Sequence, residues 1–213
     1  MTEFFEKYAV TIDKVRFSSA VKELETLVEN AVSENELQAH IEKHPYILSQ
    51  QFPHCHHVFP KVKFGIQYET DFMCLEIPSS GKEWIGVELE IPNKKVITKA
   101  GRKTSELEHA IQQVRDWRSW VTENLSYARK DKEKNGLGLS DIVPRFYGYV
   151  IIGRREAFTE KFNELRRQIQ RDELITIRSW DGVIEWAYKR AKFYSYIIDS
   201  QKIIKMQHHW MKS

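Results

Sequence analysis

Cysteine is almost absent: Cys55 and Cys74 are the two in 213 residues, and they share no paired spacing. A disulfide framework is therefore not expected, and a reducing cytoplasmic setting fits. Long hydrophobic runs are missing too. No window approaches the roughly eighteen uninterrupted apolar residues of a membrane span. The opening MTEFFEKYAV lacks the basic start and apolar stretch of a secretion signal. Neither an internal repeat nor a low-complexity tract is present. Charge of one sign is also lacking: the formal net charge is +3, so composition by itself does not make a nucleic-acid binder.

The length suits one substantial domain with extensions, or two small ones. Hydrophobic residues make up 41% and aromatic residues 12%, enough for a core, while 30% are charged. The charge is uneven. Acidic residues dominate Glu23 to Glu42, and basic ones recur in Lys94–Lys103, Arg115–Lys134 and Arg154–Arg171. The expected organisation is an N-terminal helical arm over 1–32 followed by one domain over 33–213.

Periodicity places the elements. Val21, Leu24, Leu27, Val28 and Val32 form a helical stripe. Next, Ser33 and Glu36 match a capping box, and Leu37, His40 and Ile41 face inward until Pro45 stops the helix. Glu36 is thus a cap, with a supporting place near the carboxylates described below as its second reading. His54, Cys55, His56 and His57 invite a zinc site. Adjacent residues cannot all face one ion, however, and no second pair has suitable spacing, since His208 and His209 lie far off in the tail.

The centre of the chain is YETDFMCLEIPSSGKEWIGVELEIP, which reads as a β-hairpin with its turn at Pro78–Lys82. Glu88 and Glu90 share one face, while Ile85, Val87, Leu89 and Ile91 fill the other. If the turn is symmetric about Ser79-Ser80, Asp71 falls opposite Glu88, with Cβ atoms about 5 Å apart. Three carboxylates on one patch repel one another unless a cation sits among them. A helix follows from about Glu106 to Leu125, capped by Thr104 or Ser105, with Leu107, Ala110, Ile111, Val114, Trp117 and Val121 buried. Gln113 borders this stripe, either as a core-edge residue or with its amide on the carboxylates or a phosphate. The polar, glycine-bearing SYARKDKEKNGLGLSD reads as a mobile loop or lid. A strand in RFYGYVIIG, a helix over Phe158–Gln170, a strand in LITIRSW and a last helix complete a mixed α/β plan, with the hairpin inside a sheet flanked by helices.

An acidic residue on one hairpin strand, E-x-E on the next and a helix bearing Q-x-x-x-W resemble the PD-(D/E)XK nuclease superfamily. ENELQAHIEKHPYIL, TDF, WIGVELEIPN, AGRKTSELEHAIQQVRDWRSW and GYVIIGRR, in that order, are most similar to the nuclease domain of Shedu-type anti-phage defence proteins. The resemblance implies a restriction-endonuclease-like fold and a cytoplasmic, metal-dependent nuclease acting on DNA. It implies that Asp71 and Glu88 ligate Mg²⁺ or Mn²⁺, which agrees with hard oxygen ligands, and that Gln113 supports the site. Glu90 departs from the pattern, standing where the superfamily usually has lysine. Its open roles are general base, third ligand, or the mark of a site that binds without cutting. Lys94 would supply the missing charge if the strand runs on through Pro92, since it then keeps the parity of Glu88 and Glu90. Shedu-type proteins assemble, so a homo-oligomer is expected. They often carry a large N-terminal regulatory region not seen here, so a separate sensor protein is a further expected partner.

Three functions compete. In the nuclease reading, Lys95, Lys99, Arg102 and Lys103 neutralise the phosphate backbone; otherwise they are a solvated loop. DNA is the expected substrate, with RNA also open. An inactive nuclease-fold module would bind nucleic acid or a protein partner without turnover. A small-molecule hydrolase also uses paired carboxylates, but the neighbouring basic segments suit a long anionic polymer better.

Overall fold

The computed structural model describes residues 3–210, with side chains described through residue 197. Among the described residues, seven strands and eight α-helices form a mixed α/β fold. The helices are α1 (Glu3–Lys7), α2 (Phe17–Asn30), α3 (Glu34–Lys43), α4 (Tyr46–Ser49), α5 (Ser105–Glu123), α6 (Leu125–Arg129), α7 (Glu160–Glu173) and α8 (Trp180–Trp210). The strands are β1 (Cys55–Pro60), β2 (Lys63–Phe64), β3 (Tyr68–Glu69), β4 (Phe72–Glu76), β5 (Glu83–Leu89), β6 (Tyr147–Ile151) and β7 (Ile175–Arg178). Five strands build one sheet in the order β1-β4-β5-β6-β7, antiparallel from β1 to β5 and parallel from β5 to β7. β2 and β3 form a separate small hairpin. Cys55 and Cys74 are buried free thiols. No described helix is long and apolar enough to cross a membrane.

The central hairpin has the expected register. Phe72 pairs with Val87 and Glu76 with Glu83, and Gly81 takes a φ of 121° in the turn. β5 is buried on both faces, because side chains of opposite parity meet different layers. Ile85, Val87 and Leu89 join Phe72 and Cys74 under α2 and α8. Trp84 joins Met73 and Leu75 under α5, whose Leu107, Ala110, Ile111, Val114, Trp117 and Val121 are all buried. Two adjacent glycines set how closely α5 approaches. Gly86 on β5 pairs with Gly148 on β6. A Cβ at Gly86 would lie 2.9 Å from the Phe146 ring and 3.1 Å from Trp117, and one at Gly148 would lie 2.7 Å from Val114. Arg118 locks the seat by donating to the carbonyls of Phe146, Glu173 and Leu174.

The 1–32 segment is helical over α1 and α2, and Phe17, Ala20, Val21, Leu24 and Val28 pack into the core layer under the sheet. The expectation of a mobile lid after α5 is overturned. Leu137, Leu139 and Ile142 are buried in the α5 layer, and backbone bonds tie Leu137 to Tyr127, Gly138 to Lys130 and Leu139 to Ala128. Composition made the segment look free, but three spaced apolar side chains anchor it. His208 and His209 lie outside the residues whose side chains are described.

The glycine seat gives a stability test. Gly86→Ala should cost about 1–3 kcal/mol, because Trp117 and Phe146 must shift to admit the methyl group. Urea unfolding reads this directly. An unchanged midpoint would show that α5 does not pack against β5 at this distance.

Candidate active site

The carboxylates gather where β5 ends. Asp71 lies immediately before β4, and its side chain is fixed from two sides. Its Oδ2 accepts the backbone N–H of Leu89 at 2.8 Å, and its Oδ1 accepts from Lys61 Nζ at 3.0 Å. Lys61 stands in the turn between β1 and β2, with a left-handed φ of 50° and its own N–H on the Asp71 carbonyl at 3.0 Å. Glu88, on the α5 face of β5, is 5% exposed, and its Oε1 accepts from the Gln113 amide. The amide does reach the carboxylates. Trp117, one turn further along α5, fills the space over Gly86.

Burial is the main perturbation of these groups. It pushes the Glu88 carboxyl up to about 10, reinforced by repulsion from Asp71, Glu34 and Glu90 and opposed by the Gln113 hydrogen bond. Glu90 is raised to about 7, first by burial and then by Glu34, with Lys94 pulling the other way. Glu34 is also raised, by burial and then by Asp71, against Lys61 and Lys94. Four carboxylates thus feel one another, with two ammonium groups close by. Among the described residues, no three of these carboxylates bring an oxygen each within 4.8 Å of one another.

The acidic residue of α3 in this group is Glu34, not Glu36, for which a supporting place here is the second expectation after its role as a cap. Glu36 is exposed, turns back to the Val32 N–H at 3.4 Å, and is not among the charges that perturb Glu88 or Glu90. The signal was present: Glu34, Leu37 and Ile41 have the i, i+3, i+7 spacing of one helical stripe, and Leu37 and Ile41 are fully buried. Lys61 had no such signal, because a turn residue ten positions before Asp71 reaches it only through strand pairing.

Lys94 arrives by a different route from the one expected. β5 ends at Leu89, so strand parity does not carry through Pro92. The chain turns there, and Lys94 comes to lie 3.6 Å from Glu106 on α5, with its charge acting on Glu34 and Glu90. The basic connector is a tight hairpin, with Thr98 N–H on the Arg102 carbonyl and Val96 fully buried. Lys95, Lys99 and Arg102 are exposed on it and have no ion pair among the described residues, whereas Lys103 is paired with Glu108. Among the described residues, the His54–His57 run is not gathered into a metal-binding group. Its buried histidine, His57, stacks on Phe59 with ring centroids 6.0 Å apart.

A family model described as Shedu protein SduA, C-terminal, matches residues 31–184. The chain belongs to this Shedu family. The matched span contains the whole sheet, α5 and every carboxylate and lysine of the site. Membership supports a role in anti-phage defence, and PD-(D/E)XK is the nuclease domain known in Shedu proteins. Comparison with curated proteins gives no match.

The raised carboxyls have a consequence for stability. Glu88 and Glu90 hold protons in the folded protein that the unfolded chain, with glutamates near 4.3, has already lost. That stabilisation is complete at acid pH and lost as pH rises through about 7 and on towards 10. The histidines with depressed values act mainly below and around the ordinary histidine value near 6.5, and the little they add above pH 7 raises stability, opposite to the carboxyls. In chelator, the melting temperature should therefore fall from pH 7 to pH 9. Glu88→Gln should flatten the fall. A flat profile for the wild type would show that these carboxyls are not perturbed.

Proposed function

We propose that this Shedu-family protein is a metal-dependent nuclease that hydrolyses DNA phosphodiesters in defence against phage. The observation that carries the reading is the group of Asp71, Glu88, Glu90 and Glu34 at the end of β5, where burial first and repulsion from neighbouring carboxylates second raise Glu88 and Glu90 above ordinary carboxyls. Such a group favours a cation, and its all-oxygen donor set suits Mg²⁺ or Mn²⁺. Asp71 and Glu88 would hold the ion, with Glu90 or Glu34 completing its shell. Bound there, it would supply Lewis-acid polarisation of the phosphate and acidify water.

The protein's own groups do the rest. The Leu89 N–H and Lys61 fix the direction of Asp71, and Gln113 fixes that of Glu88. Glu90, raised to about 7, exchanges its proton near neutral pH, which suits a general base. The positive charge that the superfamily takes from a motif lysine is met here from two other places, Lys61 and Lys94. Lys61 is the closer to a carboxylate, at 3.0 Å from Asp71. Lys95, Lys99 and Arg102 offer unpaired charge to the phosphate backbone. A second reading, binding without cleavage, draws on Glu90 in the usual lysine position. Cutting both strands of a duplex needs two sites, which a homo-oligomer would supply.

With Mg²⁺ or Mn²⁺ the purified protein should nick or degrade DNA, with RNA run in parallel. Asp71→Asn and Glu88→Gln should reduce cleavage to background while the protein stays folded. Gln113→Ala should cost about 10–100-fold, as the loss of a group orienting a ligand does. Wild-type protein that shifts DNA on a gel yet never cuts would establish the binding module; cleavage of RNA alone would change the substrate.

Binding should depend on salt. Neutralising Lys95, Lys99 and Arg102 together should flatten the slope of log affinity against log salt by about 3 if each meets one phosphate. An unchanged slope would remove this hairpin from the interface.

A further inference from the structure

A second donor group lies on α2 and α3, among residues that the proposed chemistry does not use. Glu23 on α2, His40 on α3 and His44 just past its end each place one ligand atom within 4.8 Å of the others. The histidines are one helical turn apart, so they share a face. Both rings are buried, at 9% and 4% exposure, with centroids 4.8 Å apart.

Hydrogen bonding sorts the ring nitrogens. His40 Nε2 lies 2.9 Å from the Ala20 carbonyl, which only accepts, so Nε2 carries the proton and Nδ1 is left as the lone pair. His44 Nδ1 bonds the Tyr46 hydroxyl at 2.8 Å, and its Nε2 is buried with no partner at all. An oxygen on one imidazole nitrogen, orienting the other, is the arrangement found behind metal-ligating histidines. Burial, the largest influence on each ring, holds both below the usual histidine range and favours the neutral form that binds metal. Glu23 raises both values, while Lys43 lowers both and Arg16 lowers that of His44.

We propose that Glu23, His40 and His44 form a site for a zinc-class transition-metal ion. Two imidazole nitrogens and one carboxylate oxygen are a zinc donor set that leaves a fourth position open to water. Glu23 is exposed and gives the ion its way in from solvent. The site differs in chemistry from the all-carboxylate group, and it lies towards the opposite end of α3 from Glu34. At 1.5 Å per residue, His44 is about 15 Å along the helix from Glu34. Occupancy would pin α2 to α3 and with them the helix that presents Glu34. The proposal is independent of the nuclease reading.

Cobalt(II) is the probe, because its visible absorption reports nitrogen ligation in a low-coordinate site. Metal-stripped full-length protein should take up one equivalent at micromolar concentration in excess Mg²⁺, and its melting temperature should rise. Glu23→Gln and His44→Gln should each weaken uptake at least tenfold. Glu23 is on the surface, so its variant keeps the test valid if His44→Gln misfolds. Asp71→Asn combined with Glu88→Gln should leave uptake intact. Failure to bind cobalt overturns the proposal. So does binding that is indifferent to Glu23→Gln, or binding lost with Asp71 and Glu88.

Discussion

The close seat of α5 on the Gly86–Gly148 pair sets where Gln113 meets Glu88, and the charge balance around that carboxyl depends on it. Side chains at either position would hold the helix off the sheet. Without them, Trp117 sits over Gly86 and Val114 over Gly148, and one turn away Gln113 comes down on Glu88. Arg118 and the ion pair of Arg115 with Glu173 at 2.8 Å hold the helix over β6 and the loop before β7. Two charges from a basic stretch are thereby spent on architecture, leaving the exposed hairpin of Lys95, Lys99 and Arg102 as the free cationic surface nearby.

That packing makes a charge problem. A carboxyl under a well-seated helix loses water, so burial is the largest influence on Glu88 and Glu90, ahead of any neighbour. The E-x-E motif of β5 brings no positive charge to this group. Lys61 from the β1–β2 turn and Lys94 from the loop after β5 enter from either side. Glu90 is left free to exchange protons near neutrality.

α3 carries two kinds of chemistry towards its two ends. At its start Glu34 belongs with the hard oxygen donors at the end of β5. Near its C-terminus His40, and just past it His44, face Glu23 with borderline nitrogen donors. Both follow from one stripe: the face that buries Leu37 and Ile41 also draws inward the polar residues that share it.

The sequence by itself determined what local periodicity and turn symmetry encode. Strand alternation and the Pro78–Lys82 turn placed Asp71 and Glu88 on one face, and helical spacing found the buried side of α5 and the reach of Gln113. Spacing also contained Glu34, although the capping-box match drew attention to Glu36. Composition misled where a few anchors outweigh many polar neighbours, as with Leu137, Leu139 and Ile142. Only the tertiary structure decided the approach of Lys61 and Lys94 and the meeting of Glu23 with His40 and His44. Those contacts join elements whose spacing along the chain has no period, and they exist because sheet pairing and helix packing close the distance.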